Sequence, residues 1–104
     1  MTKPKISVII PVYNEESQIN NCLESLDEQK NADFEVILID DGSTDKTLAI
    51  ITKFEPKNYN IKILRQSHQG PATARNLGAK KSSGDILVFV DADMTFESNF
   101  LSEL

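Results

Sequence analysis

The 104-residue sequence contains one cysteine, no tryptophan, and only four residues each of glycine and proline. Cys22 cannot form a disulfide within the chain, which favours a reducing, cytoplasmic setting. Because the surrounding pattern is helical, we expect Cys22 to be a small, partly buried residue. No apolar run is long enough to span a bilayer and no signal peptide is recognisable, so we expect no membrane segment in this chain. Attachment to the inner face of a membrane would come from other parts of a longer parent protein.

Basic residues are also scarce, since 11 Lys and Arg stand against 16 Asp and Glu and give a formal net charge of −5. A nucleic-acid-binding protein usually needs a basic face to meet phosphates, and a protein bound to anionic lipids needs one as well. Both classes are therefore disfavoured. An acidic chain of ordinary globular composition fits an intracellular soluble protein, or one that gathers carboxylates around a cation.

Four short runs rich in Ile and Val, each bounded by polar residues, predict strands buried on both faces. They cover residues 6–10, 34–39, 61–64 and 86–90. Apolar residues at helical spacing predict helices over 16–30, 46–54 and 71–81, and the start of another over 98–104. This alternation predicts an α/β fold with a mostly parallel sheet of about four strands and helices on both faces. In such sheets ligands bind at the carboxyl ends of the strands.

The turn after the first strand, residues 11–16, contains no glycine, and the first glycine of the chain is Gly42. This excludes the Gly-rich turn of dinucleotide-binding domains, and the sequence has no phosphate-binding P-loop motif. The turn instead offers the phenol of Tyr13 and neighbouring polar side chains, which suit the edge of a base or a ribose. For Asn14 alone, capping of the following helix is the favoured interpretation.

Acidic residues follow the second strand, where Asp40, Asp41 and Asp45 fall within six positions. Such carboxylates repel one another unless hydrogen-bond donors or a cation join them. One of them could accept a hydrogen bond from a ribose hydroxyl or an imide N–H. A turn in which Gly42 takes a positive φ is the alternative, and both interpretations can hold together.

Gly70 and Pro71 mark a turn into a helix after the third strand, and Arg75 lies one turn further on. The N-terminus of this helix could face a phosphate, and Arg is a natural partner of a diphosphate. A surface ion pair is the alternative for Arg75. His68, the only histidine, is interpreted as a polar surface residue without a role.

Asp91 and Asp93 follow the fourth strand directly, one residue apart. Mg²⁺ and Mn²⁺ prefer oxygen ligands and often take only one or two protein carboxylates together with substrate phosphate oxygens. The motif by itself is common, and its position at a strand end gives it weight. It predicts a divalent-cation site.

Taken together, these motifs resemble family 2 glycosyltransferases of the GT-A fold, in register from about residue 6 to the end. The matching blocks are 7–15, 34–45, Gly70 with 74–78, and 84–93. The resemblance implies the Rossmann-like, nucleotide-binding N-terminal half of a GT-A domain, so that residues 1–104 form a single, truncated partial domain. It implies an inverting enzyme that moves a sugar from a nucleotide diphosphate donor, expected to be a UDP-sugar, to an acceptor hydroxyl.

The resemblance also implies a role for each matching residue. Substrate binding is expected from Pro11, Tyr13, Glu15, Asp40, Arg75 and Asp91, and metal binding from Asp93 and Asp91. The first three would line the base and ribose pocket, and Asp40 would bond the base, commonly uracil. Asp93 would ligate the Mn²⁺ or Mg²⁺ cofactor that bridges the diphosphate oxygens.

In this family the general base is a carboxylate from the second half of the domain, and no residue here matches it. The chain alone is therefore not expected to turn over substrate, and a half-domain with an exposed sheet edge could self-associate. A noncatalytic nucleotide-binding module of the same fold is the alternative. A nucleotidyltransferase is less favoured, because it would show a glycine-rich basic loop after the first strand. The donor sugar and the acceptor, whether saccharide, lipid or protein, stay open.

Overall fold

The computed structural model describes residues 3–104, in which strands and helices alternate throughout. The elements are β1 (Ile6–Val12), α1 (Ile19–Asp27), β2 (Phe34–Asp40), α2 (Thr47–Lys53), β3 (Asn60–Arg65), α3 (Pro71–Lys81) and β4 (Ile86–Phe89). The four strands form one sheet in the order β3-β2-β1-β4, and every pairing is parallel. The predicted α/β fold with a parallel four-stranded sheet is confirmed.

The sheet order places β1 between β2 and β4, and this defines where a ligand can enter. The chain runs from β1 to β2 and then to β3, and it returns to the other side of β1 to form β4. The carboxyl end of β1 is therefore a topological switch point, where connections leave in opposite directions and open a crevice. Pairing between β1 and β4 ends at Ile9 and Phe89, whereas pairing with β2 continues to Val12 and Asp40.

Helices cover both faces of the sheet, because successive side chains along a strand point to opposite sides. On one face, Val8 and Ile10 of β1 belong to the larger core, together with Leu23 of α1 and Ile51 of α2. On the other face, a smaller core joins three strand residues to α3, namely Ile9, Ile37, Ile39 and Ala74. Burying one such aliphatic side chain contributes about 1.5–3 kcal/mol, so the two cores fix both layers of helices on the sheet.

Gly78 allows α3 to lie close to the sheet. A Cβ atom at this position would come within 2.5 Å of Cγ2 of Ile9 and 2.7 Å of Cδ1 of Ile39. The absence of a side chain at one position thus sets the distance between helix and sheet. Because α3 begins at the carboxyl ends of the strands, the same contact helps to set the distance between its N-terminus and that edge of the sheet.

Two helices are shorter than predicted, and one predicted helix is absent from the described residues. The helix expected over 16–30 spans Ile19–Asp27, since the side chains of Thr47 and Asp45 accept from the amides of Glu15 and Glu16 and hold them in a turn. The amide of Lys30 is likewise drawn away to the carbonyl of Ser98. The helix expected over 46–54 spans Thr47–Lys53. Residues 98–103 form turns and no helix, so that expectation is wrong.

The expectation of burial on both faces holds for β1 and β2 but is wrong for β3 and β4. These two strands lie at the outer positions of the sheet, so each has only one neighbouring strand. In β3 no residue is fully buried. In β4, Ile86, Leu87 and Phe89 are exposed. An apolar run alone does not distinguish a central strand from an edge strand.

Cys22 is fully buried in α1, more deeply than expected. Burial, reinforced by the nearby charges of Asp93 and Glu15, raises the pKa of its thiol to about 12. The thiol therefore stays protonated at neutral pH and serves as a packing residue. Within residues 3–104, no helix has the length and apolarity needed to cross a membrane.

Candidate donor-binding site

A cleft of about 340 Å³ opens at the carboxyl ends of β1, β2 and β4, next to the N-terminus of α3. Its walls come from four loops that are far apart in the sequence. The lining residues are Pro11, Val12, Tyr13, Glu15, Asp41, His68, Pro71, Arg75, Asp91, Ala92 and Asp93. The cleft lies at the switch point of the sheet, where ligands of open α/β folds bind.

Asn14 joins the loop after β1 to the loop after β2. Its Oδ1 accepts hydrogen bonds from the amides of Thr44, at 2.8 Å, and Asp45, at 3.3 Å. Its backbone has a φ of 50°, in the left-handed region that Asn tolerates better than most residues. The expectation that Asn14 caps α1 is wrong, because the cap position is occupied by Gln18. Asn14 instead holds two walls of the cleft together.

Asp41 anchors the loop between β3 and α3. Its Oδ1 accepts hydrogen bonds from Nε2 of Gln66 and from the amide of Gln69, both at 2.8 Å. Its Oδ2 accepts from the amide of Gly70 at 3.0 Å and lies 3.1 Å from Nδ1 of His68. Burial alone would raise the pKa of Asp41, but these hydrogen bonds outweigh burial and hold its pKa below the ordinary value. Asp41 is therefore an ionised, buried carboxylate that organises one side of the cleft.

Two aromatic rings stack at the cleft. The centroids of Tyr13 and His68 are 4.1 Å apart, with 29° between the ring planes. Nδ1 of His68 also lies 3.2 Å from the backbone carbonyl oxygen of Asp41. Both acceptors near Nδ1 require that nitrogen to carry the proton. The imidazole is thus held by a ring on one side and by Asp41 at its edge.

Asp40, expected to bond the base, is not among the residues that line the cleft. It is the last residue of β2, its carboxylate is fully buried, and its Oδ2 lies 3.3 Å from Nε of Arg65 on β3. Oδ2 also accepts from the amide of Ser43, whereas Oδ1 has no partner among the described residues. This corrects the expected position: Asp40 supports the sheet end, and Asp41 reaches the cleft.

Asp91 and Asp93 are both exposed at the cleft, directly after β4. Oδ1 of Asp91 lies 3.6 Å from Nη2 of Arg75, and both side chains are partly solvated, so this is a weak ion pair. The N-cap residue of α3 is Gly70, whose amide donates to the carboxylate of Asp41, and Arg75 lies one turn further along the helix. The cleft therefore pairs a positive element with two carboxylates.

Glu15 adds a third carboxylate to this side of the cleft. Burial raises the pKa of Glu15, and the negative charges of Asp93, Asp45 and Asp91 raise it further. Such a concentration of like charge favours a bound cation. Within residues 3–104, however, no three metal-ligating side chains converge on one point. The oxygen donors fit a Mg²⁺ or Mn²⁺ ion that takes most of its ligands from water and phosphate.

The structure thus brings six of the seven expected site residues to one cleft, and Asp40 is the exception. Two lining residues with a defined geometry, Asp41 and His68, were missed. Two aspartates are adjacent at the end of β2, and the sequence alone does not show which of them faces the ligand. His68 carried no motif of its own, and only its proximity to Gly70 placed it near the cleft.

The sequence model of glycosyl transferase family 2 matches residues 7–104. The chain belongs to this family. A Haemophilus influenzae protein with the name "uncharacterized glycosyltransferase" is 45% identical over 94 residues, which is 89% of this chain and 38% of that protein. The chain therefore spans well under half the length of this curated relative.

Solved structures, one of them of a mannosyltransferase, share the fold. Residues 1–349 of Staphylococcus aureus TarS, crystallised with UDP-GlcNAc, match with a TM-score of 0.87 and 37% identity over 95% of this chain and 29% of that one. The mannosyltransferase PcManGT of Pyrobaculum calidifontis, in complex with GDP-Man and Mn²⁺, matches with a TM-score of 0.82 and 28% identity. That match covers 92% of this chain and 29% of the mannosyltransferase chain. The family 2 chain therefore has the Rossmann-like architecture of these enzymes.

Proposed function

We propose that this family 2 chain supplies the donor site of an inverting, metal-assisted glycosyltransferase that uses a UDP-sugar. The observation that carries the proposal is the composition of one cleft: an aromatic pair, the first turns of α3 with Arg75, and two exposed carboxylates line the switch point. These elements match the parts of a nucleotide diphosphate. The aromatic pair suits the base, Arg75 and the start of α3 suit the phosphates, and the two carboxylates suit the counter-ion of the phosphates. The UDP-GlcNAc bound to TarS supports a UDP-sugar as the donor.

Each wall of the cleft has a separate task in this proposal. Pro11, Tyr13 and His68 bound the part of the cleft that receives the nucleoside. Arg75 and the N-terminal end of α3 receive the diphosphate, because cationic and N–H groups there stabilise negative charge. Arg75 exchanges its weak contact with Asp91 for the phosphate when the donor binds.

Asp93 and Asp91 are the residues that would hold Mn²⁺ or Mg²⁺. When bound, the cation supplies Lewis-acid stabilisation of the diphosphate as it becomes a leaving group. The Mn²⁺ in the complex of the mannosyltransferase with GDP-Man supports this assignment. Glu15 contributes negative charge close to Asp93 and so strengthens the attraction for a cation.

Sugar transfer also needs a general base that takes the proton of the acceptor hydroxyl. Within residues 3–104 the carboxylates that line the cleft already have other tasks: Glu15, Asp91 and Asp93 serve the donor and the metal, and Asp41 anchors a loop. We therefore infer that the acceptor, its base and the choice of linkage depend on other parts of the whole protein. On this view the chain binds the donor and does not itself transfer the sugar.

Calorimetric titration of the chain with UDP, with and without Mn²⁺, tests the donor site. Wild-type protein is expected to bind UDP more tightly with Mn²⁺ than without it. Asp93→Ala is expected to remove the Mn²⁺ dependence. Asp33→Ala is the matched control, because it removes an exposed aspartate outside the cleft and should leave the titration unchanged.

The outcomes separate the parts of the proposal. Binding that does not depend on Mn²⁺, with Asp93→Ala equal to wild type, would contradict the metal assignment. Failure of wild-type protein to bind UDP in any condition would contradict the donor site as a property of this chain. Detectable sugar transfer by the chain would contradict the inference about the general base.

A further inference from the structure

A buried polar pair lies at the amino ends of β1 and β2, at the end of the sheet opposite the cleft. Ser7 and Glu35 are aligned in the parallel pairing of these strands, and both are buried. Oγ of Ser7 donates to Oε2 of Glu35 at 2.6 Å. A buried carboxylate costs free energy unless hydrogen bonds or an opposite charge compensate it. One of the groups that compensate Glu35 is the backbone of the segment that leads into β4.

Both side chains bind the loop that joins α3 to β4. Oε2 of Glu35 accepts from the amide of Ser83 at 2.7 Å, and Oγ of Ser7 accepts from the amide of Gly84 at 2.8 Å. Nζ of Lys62 lies 3.4 Å from Oε1 of Glu35. Burial alone would raise the pKa of Glu35, but the hydrogen bonds from Ser7 and Ser83 and the charge of Lys62 outweigh burial and hold the pKa below its ordinary value. Glu35 is therefore an ionised acceptor for this loop at neutral pH.

Close packing restricts the same loop further. A Cβ atom at Gly84 would lie 2.7 Å from both the backbone nitrogen and Oγ of Ser7. Directly after it, the amides of Asp85 and Ile86 donate to the carbonyl oxygen of Lys5, at 2.9 and 3.1 Å. The start of β4 is therefore joined to β1 by hydrogen bonds and by a contact that leaves no room for a side chain.

The side chains of β4 specify its position along β1 less strictly. The strand pairs only with β1, over four residues, and the run 86–90 is apolar at every position. Burial of Val90 and Ala92 in the larger core selects which face of the strand points inwards. A slip by two residues would keep that face and would put Val88 in the place of Val90. It would also move the carboxylates that follow the strand by about 7 Å.

We propose that Ser7 and Glu35 set the register of β4 and so place Asp91 and Asp93 at the cleft. Neither Ser7 nor Glu35 lines the cleft, so both act as positioning residues. An extended strand advances about 3.3 Å per residue, and the position of its first residue therefore decides where its last one lies. This inference rests on the proposed donor function and adds the residues that position its metal-binding carboxylates.

Calorimetric titration of variants with UDP, with and without Mn²⁺, tests this role. Glu35→Ala removes the acceptor of the Ser83 amide, and Ser7→Ala removes the acceptor of the Gly84 amide. In both variants, UDP affinity without Mn²⁺ should stay within about twofold of wild type, because the loops after β1, β2 and β3 are retained. The gain in UDP affinity on adding Mn²⁺ should fall by at least about threefold.

Two further variants separate positioning from stability. In Glu35→Gln the amide oxygen can take the place of Oε2 and accept from both Ser7 and Ser83, so the Mn²⁺ gain should be kept. Tyr59→Phe is the matched control, because it removes another buried hydrogen bond, from the Tyr59 hydroxyl to the carbonyl oxygen of Leu23. It should lower the urea midpoint and leave the Mn²⁺ gain unchanged.

Amide hydrogen exchange gives a readout that needs neither nucleotide nor metal. The amide of Val90 donates to Ile9 across the β1–β4 pairing, and the amide of Asp41 donates to Val12 beside the β1–β2 pairing. In Glu35→Ala, exchange at Val90 should accelerate more than exchange at Asp41. Tyr59→Phe should change the two rates by a similar factor.

Several results would overturn the inference. One is an unchanged Mn²⁺ gain in Ser7→Ala and Glu35→Ala; if Glu35→Ala does not fold, Ser7→Ala alone decides. Another is an equal loss of the gain in Tyr59→Phe, because the effect would then follow stability. Equal acceleration at Val90 and Asp41 in Glu35→Ala is a third. If wild-type protein fails to bind UDP, the donor function fails, whereas exchange at Val90 still decides whether the pair holds β4.

Discussion

Replacing Asp41 by Asn changes one atom of the buried carboxylate and should destabilise the loop that carries His68. In the native protein both oxygens accept, Oδ1 from Gln66 and Gln69 and Oδ2 from Gly70, and Nδ1 of His68 lies 3.1 Å from Oδ2. An asparagine side chain has one oxygen and one NH₂ group. An NH₂ group in place of Oδ1 would lose two hydrogen bonds, and one in place of Oδ2 would lose the bond from Gly70 and face Nδ1 of His68. A hydrogen bond to a charged group contributes about 1.5–3 kcal/mol, so we expect a decrease of at least about 1.5–3 kcal/mol in the free energy of unfolding.

Urea unfolding of wild-type and Asp41→Asn protein at pH 7 measures this difference. Asp93→Asn serves as the control, since it removes one negative charge from the same cleft but no hydrogen bond recorded among the described residues. The control should be neutral or slightly stabilising, because it relieves repulsion with Glu15. A decrease below about 1 kcal/mol for Asp41→Asn would refute the view that the carboxylate anchors the loop.

The pH dependence gives an independent check. The pKa of Asp41 is held below its ordinary value of 3.8 in the folded protein. Its contribution to stability is therefore complete above the pKa of the unfolded state and is lost as the pH falls through the folded pKa. The difference between wild type and Asp41→Asn should be constant near pH 7 and should shrink below about pH 4. A difference that does not change with acidification would contradict the electrostatic part of the reasoning.

Three further predictions concern other contacts. Gly78→Ala should destabilise the fold by about 1–2 kcal/mol in urea unfolding, because overpacking against Ile9 exceeds the gain in helix propensity; an unchanged midpoint would contradict the packing argument. Asn14→Ala should lower stability by about 1–2 kcal/mol through the lost loop contacts, and Asn20→Ala, on the exposed face of α1, is its control. Glu15→Gln should raise the urea midpoint at pH 7. That gain should disappear as the pH falls below the ordinary Glu value of 4.5, because the folded pKa of Glu15 is raised.

The architecture was predictable from sequence because its signals are local. Runs of Ile and Val between helical patterns identified all four strands and the parallel sheet, and α3 has the predicted bounds. The same patterns gave no information on strand order. The burial of β3 and β4 was therefore overestimated, since an edge strand and a central strand carry similar residues. The turns of 98–103 carry apolar residues at helical spacing, and they pack on the core without forming a helix.

Six of the seven residues expected at the site line the cleft, and the exception lies at the end of β2. Adjacent residues of an extended chain point to opposite sides, so the carboxylates of Asp40, the last residue of β2, and Asp41 meet different partners although both are buried. Only the register, which pairs Asp40 with Val12 and Arg65, decides which carboxylate leaves the sheet and reaches the cleft. His68 depends on contacts across 27 residues of sequence, and no local pattern reports such contacts.

The anchors of the cleft have a consequence for how the site can change in evolution. Asn14 and Asp41 accept hydrogen bonds from backbone amides of the neighbouring loops, at Thr44, Asp45, Gln69 and Gly70. Every residue except proline supplies such an amide, whatever its side chain. The exposed side chains of these loops can therefore be exchanged one at a time while the loops keep their shape. A scaffold of this kind can change the side chains that face the cleft by point substitution, without first losing the geometry of the cleft.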